Sequence, residues 1–412
     1  MGPFMPTQSV SVKEDTSQYP LYPFLWRSLY EYPPEYREIR ATAPISRVRL
    51  PNDALAWLVT RYEDVRAVLS DARFSRDAVK NSPVAALAPN DIFNHSLIGT
   101  DPPDHTRLRR LVTRAFTPRR MEALRPHTFE VIDELLDQAE QLPRPVDFQS
   151  HVCYLLPILV IAEMLGLPYD EREQFVAWVR ESTAGTEYRE RMSAGYQKLI
   201  DYLDSLIQRK RRTPGDDLLS ALIAVRDEND DRLSHEELLA LSALLLAAGH
   251  ETTATLFGNS IVTLLRDRTR WDTLRNDVSL IPVAVDELFR MVPTTDIGGV
   301  FPRVALEDVT LNGVRIHAGD AVMAVGDAAN RDPEVFDDPE RLDLTRQHNP
   351  HMSLGAGIHR CLGATLTRME LQVALQRVME RFPTLRLAVP ESELRIRPMA
   401  AMRTLDALPV TW

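Results

Sequence analysis

The 412-residue sequence has few of the features that mark several protein classes. Its two cysteines, Cys153 and Cys361, are too few for a disulfide framework or an iron–sulfur cluster. The N-terminal residues contain no apolar run, so neither a signal peptide nor a membrane anchor is predicted. A net charge of −11 argues against nucleic acid and anionic membranes as partners. These absences favour a cytoplasmic protein with reduced thiols and a small-molecule partner.

Hydrophobic periodicity predicts a mainly α-helical fold with a small β region. Residues 1–20 are expected to form a flexible leader and residues 21–412 a single domain, because no linker or repeat interrupts them. A hairpin is predicted within 44–65, helices over about 104–270, and strands over 304–324. A last helix is predicted from about Leu362 to Phe382.

The longest predicted helix begins at Ser234 and continues without proline to about Arg266. Ser234 and Glu237 form the S-x-x-E pattern of a capping box. The helix is apolar on nearly all sides, which predicts burial, yet the sequence GHETT interrupts it at 249–253. A glycine, a carboxyl group and two threonines are each unfavourable in a buried helical turn. Together they indicate a functional site, with a polar surface turn as the alternative.

A glycine-rich segment, HMSLGAGIHRCLGA at 351–364, leads through Cys361 into the last predicted helix. Free amides and the dipole at a helix N-terminus lower the pKa of a thiol and can hydrogen-bond a metal-bound sulfur. A thiolate ligand to haem iron favours cleavage of the O–O bond. The pattern therefore indicates a thiolate metal ligand, with a buried structural thiol as the alternative.

Several segments, in the right order from about residue 40 to Trp412, resemble the cytochrome P-450 family. Residues 354–363 resemble its signature F-G-x-G-x-H-x-C-x-G, with Leu354 in place of the usual phenylalanine. Residues 248–253 are similar to the oxygen-activating helix segment, 287–290 to the E-x-x-R pair, and 101–109 to a segment of the soluble bacterial members. The resemblance implies the cytochrome P-450 fold, haem b as cofactor and monooxygenase activity.

The resemblance also implies roles for single residues. Cys361 is expected to ligate the iron, with Ala248, Leu354, Gly355 and Gly363 beside the haem. The residues expected to bind the haem propionates are His105, Arg109, Arg303 and His359. Gly249 is expected to leave room for dioxygen, Thr252 to donate a proton to it with a water, and Glu251 to relay protons from solvent.

Two further sets follow from the same resemblance. An ion-pair network beneath the haem is expected to consist of Glu287, Arg290 and Arg341. Substrate contacts are expected at Phe93, Leu97, Leu244, Ala248, Val292, Thr295, Met399 and Ala400. Plain core packing is the alternative for each apolar member of the second set.

No flavin or nucleotide-binding motif is present, so electrons are expected from a separate ferredoxin or flavodoxin with its reductase. A basic patch for that donor is predicted at Arg110, Arg114, Arg119, Arg120, Arg360 and Arg368, with an ordinary solvated surface as the alternative.

The sequence is most similar to actinobacterial members that tailor macrolides and other polyketides in antibiotic biosynthesis. Hydroxylation or epoxidation of a mostly apolar natural product is therefore expected. The alternatives are a peroxide-driven haem enzyme, a haem-binding protein without turnover and a cysteine hydrolase.

Overall fold

The computed structural model describes residues 15–24, 26, 28, 31–82, 84–85, 96–182, 189–225, 232–295, 302–397 and 402–412. Helices dominate these residues, as predicted. They are α1 (Pro34–Thr42), α2 (Tyr62–Ser70), α3 (Asp104–Ala115), α4 (Pro118–Ala123), α5 (Arg125–Glu140), α6 (Leu155–Met164), α7 (Arg172–Ser182), α8 (Arg189–Arg212), α9 (Leu218–Ala224), α10 (His235–Leu265), α11 (Arg268–Asn276), α12 (Ile281–Met291), α13 (Gly326–Ala329) and α14 (Ala364–Arg381).

The β region is small. Its strands are β1 (Ile45–Arg49), β2 (Leu55–Val59), β3 (Phe74–Ser75), β4 (Val146–Asp147), β5 (Arg303–Ala305), β6 (Val309–Leu311), β7 (Val314–Ile316), β8 (Ala321–Ala324), β9 (Arg386–Leu387) and β10 (Pro409–Thr411). A five-stranded sheet has the order β1-β2-β8-β5-β3, a three-stranded sheet the order β4-β10-β9, and β6 pairs with β7. The predicted hairpin is β1–β2, with Ile45 opposite Val59.

The long helix α10 confirms its predicted start. The Ser234 hydroxyl accepts from the Glu237 N–H, and the Glu237 carboxylate accepts from the Ser234 N–H at 2.8 Å. By length and composition alone α10 could cross a bilayer. However, its apolar side chains belong to the main hydrophobic core, which α5, α6, α8 and α14 also form, as expected of the core helix of a globular fold.

The first and last described parts of the chain are joined to the fold by backbone pairing with strands. The Pro20 carbonyl accepts from the Arg49 N–H at 2.9 Å, so contact with β1 starts at the last residue of the expected leader. At the other end, Val410 pairs with Val146 and Leu387. The last helix, α14, begins at Ala364, two residues later than predicted, and thus three residues after Cys361.

Candidate active site

Cys361 lies at the end of a tight loop that packs against α2. The loop contains a short 3-10 turn, Gly357–His359, and the Cys361 N–H donates to the Leu354 carbonyl at 2.8 Å. Gly357 has φ +67°, and a Cβ there would lie 2.3 Å from the Leu69 carbonyl oxygen of α2. Only glycine satisfies both conditions, so this residue fixes how closely the loop approaches α2. Leu354 is half-buried against the main core.

The electrostatics of the Cys361 thiol are a balance of opposing effects. The surrounding protein raises the pKa of the thiol by desolvation, although the Gly363 N–H, Arg109, Arg368 and Arg360 lower it. The helix N-terminus alone predicts a lowered pKa. In the structure the Gly363 N–H has this lowering effect, and desolvation acts in the opposite direction, although Cys361 is exposed at the surface of the protein. Nothing lies within 4 Å of a Cβ built on Gly363, whereas Gly355 lies beside the His359 carbonyl.

The four residues expected to bind propionates lie close together. His105 of α3 is buried, and its ring centroid is 4.3 Å from that of His359. Arg109, one turn further along α3, donates to the Arg360 carbonyl at 2.7 Å and so ties α3 to the Cys361 loop. Arg303 at the start of β5 is buried beside them. Three separate segments thus bring cationic or donor groups to one side of Cys361.

This group of residues fits a ligand that carries carboxylates. Neither ring nitrogen of His105 has a hydrogen-bond partner among the described residues, although the side chain is buried. Burial and the charges of Arg303, His105 and Arg109, with a third arginine described below, lower the pKa of His359 to about 2. Burial, followed by Arg109, also lowers the pKa of His105. Crowded cations and unpaired donors suit the two propionates of haem, and the cysteine beside them suits its iron.

A further arginine lies beside this group, Arg76, and it is not among the predicted residues. It follows β3, is buried, and lowers the pKa values of both Arg303 and His359. No motif contains Arg76, so local sequence gave no indication of its position. The only signal available was an arginine directly after a short strand-like pair, F-S, which is too common to be informative.

The polar segment of α10 is an uninterrupted α-helix. The Thr252 hydroxyl donates to the Ala248 carbonyl at 2.7 Å, and the Thr253 hydroxyl donates to the Gly249 carbonyl at 2.8 Å. A Cβ on Gly249 would lie 2.9 Å from Cδ1 of Ile161 in α6, so close helix packing is sufficient to explain this glycine. Room for dioxygen at Gly249 stays a prediction.

Glu251 faces the C-terminal segment of the chain. Thr255, one turn further along α10, has its hydroxyl 2.5 Å from that of Thr404, and the Arg397 N–H donates to the Thr404 carbonyl at 2.8 Å. Arg397 is thereby carried to the turn of α10 that holds Glu251. Desolvation raises the pKa of Glu251, and the charge of Arg397 partly opposes that rise. Glu251 therefore has the raised pKa of a carboxyl group suited to accepting and releasing protons.

His250, next to Glu251, is a buried neutral residue. Its Nδ1 lies 3.1 Å from the Leu246 carbonyl, and its ring stands edge-on to Tyr154 at 5.4 Å between centroids. Burial lowers its pKa to about 4. His250 thus adds no positive charge near Glu251 at neutral pH.

The ion-pair network differs from the prediction at one position. Arg290 donates to both carboxylate oxygens of Glu287, at 2.8 and 2.7 Å, and both side chains are fully buried. The later arginine that pairs with Glu287 is Arg346, with 3.3 Å between Nε and Oε2. The prediction of Arg341 was wrong, because that side chain is exposed and only its backbone carbonyl accepts from Arg290.

The expected substrate residues are only partly described. Phe93, Met399 and Ala400 lie outside the described residues. Thr295 is half-buried at the end of the segment that follows α12. Leu97, Leu244 and Val292 are buried in the main core cluster, and Leu244 lies on the same face of α10 as Ala248 and Thr252. Their contact with substrate stays a prediction.

Comparison with known proteins accounts for this combination of fold and site. Residues 34–395 match the family model Cytochrome P-450. The chain belongs to the cytochrome P-450 family. It is 46% identical over 395 residues to nocardicin C N-oxygenase of Nocardia uniformis subsp. tsuyamanensis, covering 95% of this chain and 98% of that protein. It is 44% identical to mycinamicin IV hydroxylase/epoxidase of Micromonospora griseorubida, covering 92% and 94%.

Solved structures confirm the fold of this cytochrome P-450. The mixed-function P-450 MycG superposes with a TM-score of 0.90 at 42% identity, over 96% of this chain and 100% of that chain. The protein is therefore a haem-thiolate monooxygenase with haem b as its cofactor. Its Cys361 segment is the part of the chain that matches the haem-binding signature of the family.

Proposed function

We propose that this cytochrome P-450 hydroxylates or epoxidises a macrolide or related polyketide in the cytoplasm, with dioxygen and with electrons from a ferredoxin and its reductase. The observation that carries the proposal is the 44% identity with a mycinamicin IV hydroxylase/epoxidase across 92% of the chain. When bound, haem supplies the iron at which dioxygen is reduced. Cys361 would hold the iron, and His105, Arg109, Arg303 and His359 would hold the propionates.

The chain's own contribution to catalysis is proton delivery. The Thr252 hydroxyl lies on the face of α10 that also carries Leu244 and Ala248, and its proton is engaged by the Ala248 carbonyl at rest. Glu251, with its raised pKa, is suited to take a proton from solvent and pass it toward Thr252. A peroxide-driven enzyme would not need this pair, since peroxide already carries the protons and electrons.

Thr252→Ala tests that role. We expect the variant to bind haem and substrate normally and to consume NADH with donor proteins, while forming product at about a tenth of the wild-type yield or less. The measurement is the ratio of product formed to NADH oxidised. Thr253→Ala is the matched control, because that hydroxyl donates to the neighbouring Gly249 carbonyl. Equal coupling in Thr252→Ala and wild type would remove Thr252 from the mechanism.

The docking surface for the electron donor is best supported beside α3. A cleft of about 520 Å³ is lined by His105, Thr106, Arg109, Arg110, Thr113, Arg114 and Ile358. Ile358 is 44% exposed, and Arg110, Arg114, Arg119 and Arg360 are exposed. An apolar contact within a basic rim suits an acidic partner protein. Arg368 fits this role less well, because it is half-buried and pairs with Asp286 at 2.6 Å.

A second candidate reaction is oxidation of a nitrogen atom. It is favoured by the 46% identity with nocardicin C N-oxygenase, the higher of the two identities reported above. Both reactions need the same haem and proton delivery, so the residues discussed above do not separate them. The substrate's functional group decides between them.

The decisive experiment is a titration of the purified protein with a panel of macrolides and of amine- or oxime-bearing natural products. A ligand that displaces water from the iron shifts the Soret band, and hits are then incubated with donor proteins and NADH. A macrolide product heavier by one oxygen atom, labelled from ¹⁸O₂, supports the proposal. Turnover confined to nitrogen-bearing compounds, with the oxygen on nitrogen, supports the second candidate instead.

A further inference from the structure

Arg76 and Arg303 meet at one backbone carbonyl beside the larger sheet. β3 pairs antiparallel with β5, with Phe74 opposite Ala305 and Ser75 opposite Val304, and Arg76 directly follows β3. The Nη1 atoms of Arg76 and Arg303 both donate to the Pro302 carbonyl, at 2.6 and 3.3 Å, and both residues are buried, with 3% and 4% of their surface exposed. Like charges held this close repel each other, and burial increases that cost. This placement calls for an explanation beyond packing.

The two arginines repel each other electrostatically. Burial lowers the pKa of Arg76 to about 10. Burial and the charge of Arg76 lower the pKa of Arg303 to about 9, and Arg76 also contributes to the lowered pKa of His359. The charge of Arg76 therefore acts on two of the residues expected to bind propionates.

Asp101 is the described carboxylate whose charge opposes this repulsion. Its oxygens already accept from the Ser75 hydroxyl, from the Arg76 N–H at 2.9 Å and from the Asp77 N–H at 3.4 Å. Asp101 thus supports the backbone turn after β3, and it is a single negative charge beside a larger group of cations. A second anion placed between Arg76 and Arg303 would convert repulsion into attraction.

We propose that Arg76 binds a haem propionate together with Arg303, as a fifth member of the group formed by His105, Arg109, Arg303 and His359. This inference rests on the haem of the family and is independent of the proposed macrolide substrate. Its physical consequence is that Arg76 raises both the retention of haem and its reduction potential, since a nearby cation favours the added electron.

The competing role for Arg76 is a purely structural clamp. Its Nη1 donates to the Pro302 carbonyl at 2.6 Å, and its Nε donates to the Ile98 carbonyl at 3.1 Å. A clamp depends on the shape of the guanidinium, which neither lysine nor glutamine reproduces. A propionate ligand depends on positive charge, which lysine retains and glutamine removes. The two substitutions therefore separate the roles.

The experiment uses holoenzymes with Arg76→Gln and Arg76→Lys. Haem transfer to excess apomyoglobin and the ferric/ferrous midpoint potential are measured for each. We expect Arg76→Gln to lose haem on the order of tenfold faster, the effect of one charge-assisted hydrogen bond, and to have a lowered potential. Arg76→Lys should keep a potential close to wild type. Arg40→Gln is the matched control, since Arg40 is also buried and donates to a backbone carbonyl, that of Ala328, at 2.9 Å.

Equal acceleration of haem loss in both Arg76 variants, with wild-type potentials in both, would overturn the proposal and leave the clamp. Should Arg76→Gln yield no holoenzyme, the propionate bending band in the resonance Raman spectrum of Arg76→Lys decides. A shifted band supports contact between residue 76 and a propionate, and an unshifted band contradicts it. None of these readouts requires substrate, so failure here is distinct from failure of the proposed reaction.

Discussion

Two buried clusters of charge in this cytochrome P-450 are assembled in opposite ways. Around Glu287, the carboxylate receives Arg290, Arg346, the Asn349 amide and the Asp343 N–H, and the remaining Arg290 donors reach backbone carbonyls. Around His359, by contrast, cationic side chains crowd together and lower one another's pKa values. In the first cluster the protein itself supplies an acceptor for every guanidinium nitrogen of Arg290, whereas the second cluster calls for an anionic ligand.

The difference separates buried charges that stabilise the fold from buried charges that bind a ligand. Breaking a complete buried pair leaves an uncompensated charge and destabilises the fold. Removing one member of a crowded group of like charges relieves repulsion in the protein, which offsets the loss of hydrogen bonds such as that from Arg109 to the Arg360 carbonyl, and it weakens the attraction to an anionic ligand. We therefore expect substitutions around Glu287 to lower the free energy of unfolding more than they lower haem retention. Substitutions around His359 should lower haem retention more than the free energy of unfolding.

The largest expected effect is at Cys361, the centre of the ligand-binding cluster. Cys361→Ser should abolish the long-wavelength Soret band of the reduced carbon monoxide complex and all monooxygenase turnover, because a hydroxyl group does not replace the thiolate as iron ligand. Difference spectroscopy of the purified variant measures this directly. Cys153→Ser is the matched control, since Cys153 is buried between α5 and α10 and is not part of the signature. A retained band in Cys361→Ser would refute the assignment of the ligand.

Next in size is Glu287→Gln in the first cluster. We expect a loss of about 3–5 kcal/mol in the free energy of unfolding, because Arg290 would remain buried without its carboxylate. Urea denaturation followed by circular dichroism measures the loss. Arg346→Gln should also destabilise, and Arg341→Gln should change stability by under about 0.5 kcal/mol, since its side chain is exposed. A large effect of Arg341→Gln would favour the prediction from sequence that Arg341 pairs with Glu287.

His105→Phe tests the second cluster, the one around His359. Its ring nitrogens have no described partner, so replacing the ring by a similar apolar one should change the free energy of unfolding by under about 1 kcal/mol. Haem transfer to apomyoglobin should nevertheless become about tenfold faster. Thr106→Val, at an exposed neighbour on α3, provides the control. If His105→Phe is markedly destabilised and retains haem as the wild type does, then His105 stabilises the fold and does not bind haem.

The sequence predicted most elements that position the site, because their signals are local. The capping box set the start of α10, and the hairpin and strand patterns set the β region. Likewise, the Cys361 loop could be predicted from its glycines, since Gly355 and Gly357 have positive φ, although the approach of Gly357 to Leu69 of α2 could not.

What the sequence did not predict depends on contacts between distant segments. Arg341 ends the P-E-R segment and Arg346 lies five residues later, and only the fold determines which side chain reaches Glu287. Arg76 belongs to no motif and joins the site because the turn after β3 brings it to the Pro302 carbonyl, to which Arg303 also donates.

The smallest expected effect concerns Glu251 and Arg397. They differ from both clusters, because the charge of Arg397 acts on the pKa of Glu251 without a direct ion pair among the described residues. Arg397 opposes the burial that raises the pKa of Glu251, so Arg397→Gln should raise that pKa further. The pH at which turnover depends on ionisation of Glu251 should then move to higher pH, with coupling measured at each pH as product per NADH. Arg397→Lys should restore the wild-type profile, and Arg395→Gln, at an exposed arginine two residues earlier, should leave it unchanged. A shift to lower pH in Arg397→Gln would show that desolvation of Glu251, and not the charge of Arg397, is what the substitution alters.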